Sequence, residues 1–228
     1  MIEVTFYGHS CFSANIDSCN LLFDPFISSN EKANHIDLEN IPADYILLSH
    51  GHEDHIADVE KIAKRTNAKI ISNFEIISWF GIKHGLENIH PMNHGGEWNF
   101  DFGKVKYVNA IHSSTLPDGK SGGNPGGFVI ETAHGCFYYA GDTALHMDMK
   151  LIPLQFQLDF ALLPIGDNFT MGINDAVLAA EFIKTDKVVG LHYDTFGLIE
   201  INHQQAKETF KNKNITLFLP KIGEKISF

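Results

Sequence analysis

The chain opens on an alternation, Ile2, Val4 and Phe6 against Glu3, Thr5 and Tyr7, which is the period-two pattern of a half-buried strand. Short β-rich runs follow at Cys11 to Ile16, Asn20 to Phe23 and Tyr45 to Leu48, bounded by turn residues such as Gly8, Asp17 and Asp44. The period then changes. Ile56, Val59, Ile62 and Ala63 recur at helical spacing, which predicts one helix over 55–65, and Ala68 to Ser72 returns to strand. A second helix is predicted over Phe74 to Phe80. Beyond it Gly81, Gly85, Pro91, Gly95 and Gly96 make the middle of the chain turn-rich, with no element assigned. Strands resume at Lys104 to Asn109, Gly127 to Glu131, Cys136 to Ala140, Phe160 to Leu163 and Lys187 to Leu191, with closing strands near Ile215 and Ile226. Helices are expected at Asn174 to Ile183 and Gln204 to Lys211.

No composition shift, low-complexity linker or fixed-period repeat divides the chain, so residues 1–228 read as one domain. Many strands early and late, with amphipathic helices between, fit two sheets packed face to face and covered by helices outside. The pattern does not by itself fix the strand order.

Charge narrows the partners. Seventeen basic residues against 28 acidic give −11, and Arg65 is the sole arginine. Nucleic acid is poorly served by such a balance, because a phosphate backbone is met by clustered cations, arginine above all. The three cysteines, Cys11, Cys19 and Cys136, form no C-x-x-C pair and read as small buried hydrophobes. The N-terminus shows no basic-then-apolar leader and no apolar stretch reaches membrane-spanning length, so a cytoplasmic protein without membrane association is expected.

Of thirteen histidines, those in His50-Gly51-His52-Glu53-Asp54-His55 carry the most information, because they lie where an apolar strand ends and a helix begins. In extended chain, residues two apart project to one side, so His50 and His52 can reach one divalent ion. The turn into a helix redirects Asp54 and His55 toward a neighbouring position suited to a second ion. Further ligands are required, and His112, Asp142 and His192 each stand just past an apolar β run, where scaffolds display functional side chains. His112 would complete the first site and His192 the second, with Asp142 bridging both.

These motifs resemble the metallo-β-lactamase superfamily, and in particular its small metal-dependent hydrolases related to ascorbate-6-phosphate lactonase. The resemblance runs through HGHEDH, Gly8-His9-Ser10, His112-Ser113-Ser114, Gly122-Gly123-Asn124-Pro125, Ala140-Gly141-Asp142-Thr143, the run Pro164 to Gly172 and His192-Tyr193. It implies an α+β fold, a four-layer αββα sandwich with two metals at one edge, and the same seven ligands. His94, His146 and Asp194 depart from the family pattern.

The chemistry expected is that of a dinuclear hydrolase. Divalent ions lower the pKa of bound water from near 16 to about 7, so a metal-bound hydroxide serves as nucleophile, and Asp54, the catalytic residue, orients it and takes its proton. Two ions bring +4 and Asp54, Asp142 and hydroxide bring −3, so a small anionic or neutral ester, lactone or phosphodiester is welcome. Imidazole and carboxylate ligands without thiolate suit zinc first and also accept manganese, iron or nickel. His9, Asn168, Thr170 and Met171 are candidate substrate-binding residues. The loop Pro117 to Gly127 reads as either a flap over the metals or a long hairpin loop. An iron oxidoreductase of dioxygenase type is the alternative on the same scaffold, although flavin-partnered di-iron relatives place Glu where this chain has His52. A homo-oligomer is compatible with the composition.

Overall fold

A computed structural model describes residues 1–228, all of the chain. Two seven-stranded sheets face each other. The first contains β1 (Ile2–Gly8), β2 (Cys11–Ile16), β3 (Cys19–Phe23), β4 (Tyr45–Leu47), β5 (Lys69–Asn73) and β6 (Ile89–Met92), with β14 (Lys225–Ser227) returning beside β1. The second contains β7 (Glu97–Phe100), β8 (Gly103–Asn109), β9 (Gly126–Thr132), β10 (Gly135–Tyr139), β11 (Phe160–Pro164), β12 (Lys187–Leu191) and β13 (Thr216–Phe218). Each sheet begins with antiparallel pairs and ends parallel: β3 to β6 run together in the first, β10 to β13 in the second. Because β8 and β10 are each antiparallel to β9, the strands β8, β10 and β12 share one direction and their C-terminal ends lie on one edge.

Alternation builds three cores. Phe6, Phe12, Phe23, Tyr107, Phe128, Phe137 and Phe160 meet between the sheets. The opposite faces are covered by helices, α1 (Glu53–Ile56), α2 (Val59–Thr66) and α3 (Phe74–His84) on the first sheet, α4 (Ile173–Ile183) and α5 (His203–Lys211) on the second. The result is a four-layer αββα sandwich. Val59, Ile62 and Ala63 carry the buried stripe of α2, as their spacing predicts. The lone arginine is structural: its guanidinium donates to the carbonyls of Leu38 at 3.2 Å and Ile41 at 2.6 Å. Cys11 and Cys136 are buried and Cys19 half-buried, all three as free thiols. No helix is long and apolar enough to cross a membrane.

Two expectations are corrected. The helix over 55–65 is two helices, broken at Asp58, whose backbone leaves the helical region at φ −101° and ψ 1°. The buried Asp58 carboxylate accepts from the Ile27 amide at 2.6 Å, the Ser28 amide at 2.9 Å and the Ser28 hydroxyl, so it ties the break to the loop after β3. The turn-rich middle holds β6 and β7. Both are edge strands, one carrying Pro91 and the other exposed Trp98, so neither shows the apolar run of a central strand.

Replacing Asp58 by Ala removes the acceptor of three donors, the buried Ile27 amide and the amide and hydroxyl of exposed Ser28. Urea unfolding of that variant is expected to show a loss of about 3 kcal/mol, given the usual cost of stranding buried partners of a charged acceptor.

Candidate metal centre

The site lies where β4, β8, β10 and β12 end. His50, His52, Asp54 and His55 occupy the β4 to α1 connection, and His112, Asp142 and His192 follow the other three strands. Two donor sets form. The nitrogens of His50, His52 and His112 lie within 4.8 Å of one another, and so do the donor atoms of His9, Asp54, His55 and His192. Asp142 stands between them: its Oδ2 is 3.0 Å from His192 Nε2, 3.2 Å from His55 Nε2, 3.6 Å from His112 Nε2 and 3.9 Å from His50 Nε2.

Hydrogen bonds decide which nitrogen of each ring is free. Ser49 Oγ donates to Asp24 Oδ2 at 2.5 Å, so it accepts from His50 Nδ1 at 2.9 Å and leaves His50 Nε2 with its lone pair. His55 Nδ1 donates to Asp24 Oδ2 at 2.7 Å and leaves Nε2, a buried atom with no hydrogen-bond partner. His52 Nε2 pairs with Ser113 Oγ at 3.2 Å and turns Nδ1 toward His50 Nε2, 2.9 Å away. Lone pairs thus converge. Two ligand atoms about 2.0 to 2.1 Å from one tetrahedral ion would sit about 3.4 Å apart, and the distances above bracket that value.

Orphaned atoms point the same way. Asp142 Oδ1, His55 Nε2 and His192 Nδ1 are buried without partners, an arrangement that is destabilising unless something else satisfies the group. Charge fits a cation as well. Burial disfavours the His55 imidazolium, yet the charges of Asp142 and Asp24 outweigh it and raise its pKa well above the usual histidine value. Burial would push the Asp142 carboxyl up, but His192 and His55 hold it well below the carboxylate range. Burial also lowers His50, His52 and His112, which keeps these imidazoles neutral and able to coordinate at neutral pH.

Backbone strain fixes the aim of two rings. His9 and His192 adopt left-handed φ values of 56° and 53° and are clamped together by the His192 amide donating to the His9 carbonyl at 2.8 Å. Gly141 is at φ 63°, and a Cβ there would lie 2.7 Å from both the Gly126 carbonyl oxygen and Ser49 Cβ. Only glycine lets the chain turn that closely into Asp142.

The candidate residues fall in different places. All seven proposed ligands gather at the cluster. His9 joins them, with Nε2 3.1 Å from Asp54 Oδ2 and Nδ1 3.0 Å from Thr195 Oγ1. Asn168 is exposed, Thr170 half-buried and Met171 packed in the outer core of the second sheet, and none of the three hydrogen-bonds to the cluster. The loop Pro117 to Gly127 is stapled down: Asn73 Nδ2 donates to the carbonyls of Gly122 and Asn124, and Trp79 Nε1 to Asp118 at 2.9 Å. Asp24 was not anticipated. Its one sequence trace is a lone acidic residue directly after an apolar strand, and its role depends on Ser49, His55 and Tyr139, up to 115 positions away.

The Beta-lactamase superfamily domain family matches residues 3–192. A UPF0173 metal-dependent hydrolase of Christiangramia forsetii is 58% identical over 226 residues, 99% of each chain. One from Staphylococcus aureus is 42% identical over 233 residues and the whole of both chains. Among solved structures, Igni18, a metallo hydrolase of the archaeon Ignicoccus hospitalis, superposes with a TM-score of 0.89 at 30% identity, covering 100% of this chain and 98% of that one. With a sandwich of the same kind and a His/Asp cluster able to hold metal at its edge, the chain belongs to the metallo-β-lactamase superfamily, within its UPF0173 metal-dependent hydrolases.

Proposed function

We propose that the protein is a dinuclear hydrolase of small ester, lactone or phosphodiester substrates, with zinc as the favoured ion. The observation that carries this reading is the pair of donor sets flanking one carboxylate, Asp142. His50, His52 and His112 would hold one ion, and Asp54, His55 and His192 the other. Such ions, when bound, supply Lewis acidity toward water and toward a carbonyl or phosphoryl oxygen.

The protein's own groups do the rest. Asp54 is the one acidic member with a partly accessible side chain, 30% exposed. Its Oδ2 is engaged by His9, so Oδ1 remains to take a proton from an attacking water. Burial would raise the Asp54 carboxyl, but the hydrogen bond from His9 and the charge of His55 hold it down, so it is ionised and ready to accept. Burial lowers His9 to about 4, so its ring is neutral at pH 7 and donates Nε2–H to Asp54 while Nδ1 accepts from Thr195. His9 therefore positions the base. Asp24 acts one step further out, locking the tautomers of His50, through Ser49, and of His55.

Turnover of aryl esters, lactones and bis-aryl phosphodiesters is expected to be abolished by chelator and restored by zinc, and chelator-insensitive turnover would contradict the reading. Asp54→Asn and His52→Ala should each reduce kcat/KM by at least about a hundredfold in soluble, folded protein. Asp24→Asn should weaken metal uptake by about 10 to 100-fold in a competition assay with a chromogenic chelator, since the locked ring orientation is lost. Uptake should also fall once pH drops below the ordinary histidine range, when protons compete for the three imidazoles of the first set, which burial makes harder to protonate.

A further inference from the structure

A groove of 710 Å³ opens beside the metal cluster, between the loop that follows β12, the helix α5 and the connection from β13 to β14. It stops against the cluster at His9 and Thr195, and none of the seven proposed ligands lines it. Its volume lies in the range of pockets that hold small molecules, about 300 to 1,000 Å³.

The lining joins apolar surface to positive charge. Leu219 and Ile222, both half-buried, supply hydrocarbon, and the stacked rings of Phe6 and Tyr193, 6.2 Å between centroids, belong to the same lining. Around them stand three exposed lysines, Lys32, Lys207 and Lys221, in a chain that carries −11 overall. Asp194 is the one carboxylate of the lining, and it is already engaged: Oδ1 accepts from the Ile201 amide at 3.0 Å and Oδ2 is 2.6 Å from His203 Nε2. Lys32 Nζ donates to the Asp194 main-chain carbonyl, which does not neutralise its charge. Lys207 and Lys221 enter no ion pair, unlike Lys61, Lys64, Lys213 and Lys225. Three ammonium groups against Asp194 leave +2, and counting Glu224 as well, whose carboxylate accepts from the Lys221 amide at 2.8 Å, leaves +1. A cleft lined by one sign of charge beside low-dielectric walls concentrates counter-ions of the other sign.

We propose that this groove binds a small organic dianion of the phosphate-monoester type, its head held by Lys207 and Lys221 and its apolar body laid on Leu219 and Ile222. A phosphate monoester carries about −1.5 to −2 at pH 7, which matches two unpaired ammonium groups, whereas a single carboxylate would leave one of them uncompensated. Lysines without arginine suit one compact head group and not an extended nucleic-acid backbone. The binding does not depend on the turnover proposed above. It places the ligand beside His9, the ring that holds Asp54.

In mildly alkaline buffer 1-naphthylmethylphosphonate is a dianion with a two-ring body and no ester bond to hydrolyse. Calorimetry on metal-loaded protein is expected to show a saturable site for it, with NMR shift changes at Lys207, Lys221 and Ile222. The double variant Lys207→Ala with Lys221→Ala should weaken that binding by at least about tenfold. Its metal content and melting temperature should match the parent's, because both side chains are exposed. Added salt should weaken binding to the parent more than to the double variant. Methylphosphonate, the same head without the rings, should bind at least about fivefold more weakly. A phosphonate held by the metal ions alone would bind parent and double variant alike. That result, the absence of saturable binding, or equal affinity for the two phosphonates would overturn the proposal.

Discussion

Everything at the catalytic edge hangs on one fully buried carboxylate. Asp24 accepts four hydrogen bonds: the Ser49 amide at 2.8 Å to Oδ1, and on Oδ2 the Ser49 hydroxyl at 2.5 Å, Tyr139 at 2.6 Å and His55 at 2.7 Å. A buried charge is tolerable only when it is so fully satisfied. Here the satisfaction also has direction, since each donor is a piece of the site. Ser49 transmits the constraint to His50, and His55 is held with its free nitrogen facing Asp142. Tyr139 comes from the opposite sheet.

That last bond joins the two halves of the sandwich. Tyr107 of β8 makes a second crossing, its hydroxyl donating to the Ser49 carbonyl at 3.1 Å. The metal-binding loop of the first sheet is thereby registered against β8 and β10 of the second, which deliver His112 and Asp142. A site assembled from two separately hydrogen-bonded sheets needs such cross-links, because packing of apolar faces alone permits sliding by fractions of an ångström. Ligand spheres tolerate little of that.

The same strands serve two purposes by alternation. On β10 the inward Tyr139 supports the candidate metal centre through Asp24, while the outward Tyr138 is buried in the apolar outer core of the second sheet. The candidate centre is the reverse of that apolar layer, six imidazoles and three carboxylates within a few ångströms. The sheet between them keeps the two chemistries apart.

The sequence alone determined most of the elements and brought forward the candidate ligands that the structure gathers at one edge. Period-two and period-3.6 patterns marked the central strands and the main helices, because burial on one face imposes those periods, and the motif HGHEDH with polar residues after three apolar runs marked the candidate ligands. It did not reveal β6 and β7, because edge strands need no continuous apolar face, nor the break at Asp58, because the forces that stop the helix there come from Ile27 and Ser28. Tertiary structure alone decided the common direction of β8, β10 and β12, the service of Asp24 to rings far along the chain, the entry of His9 beside Asp54 and the burial of Met171 in the outer core. Those outcomes depend on which distant groups meet, and no local pattern encodes a partner more than a hundred residues away.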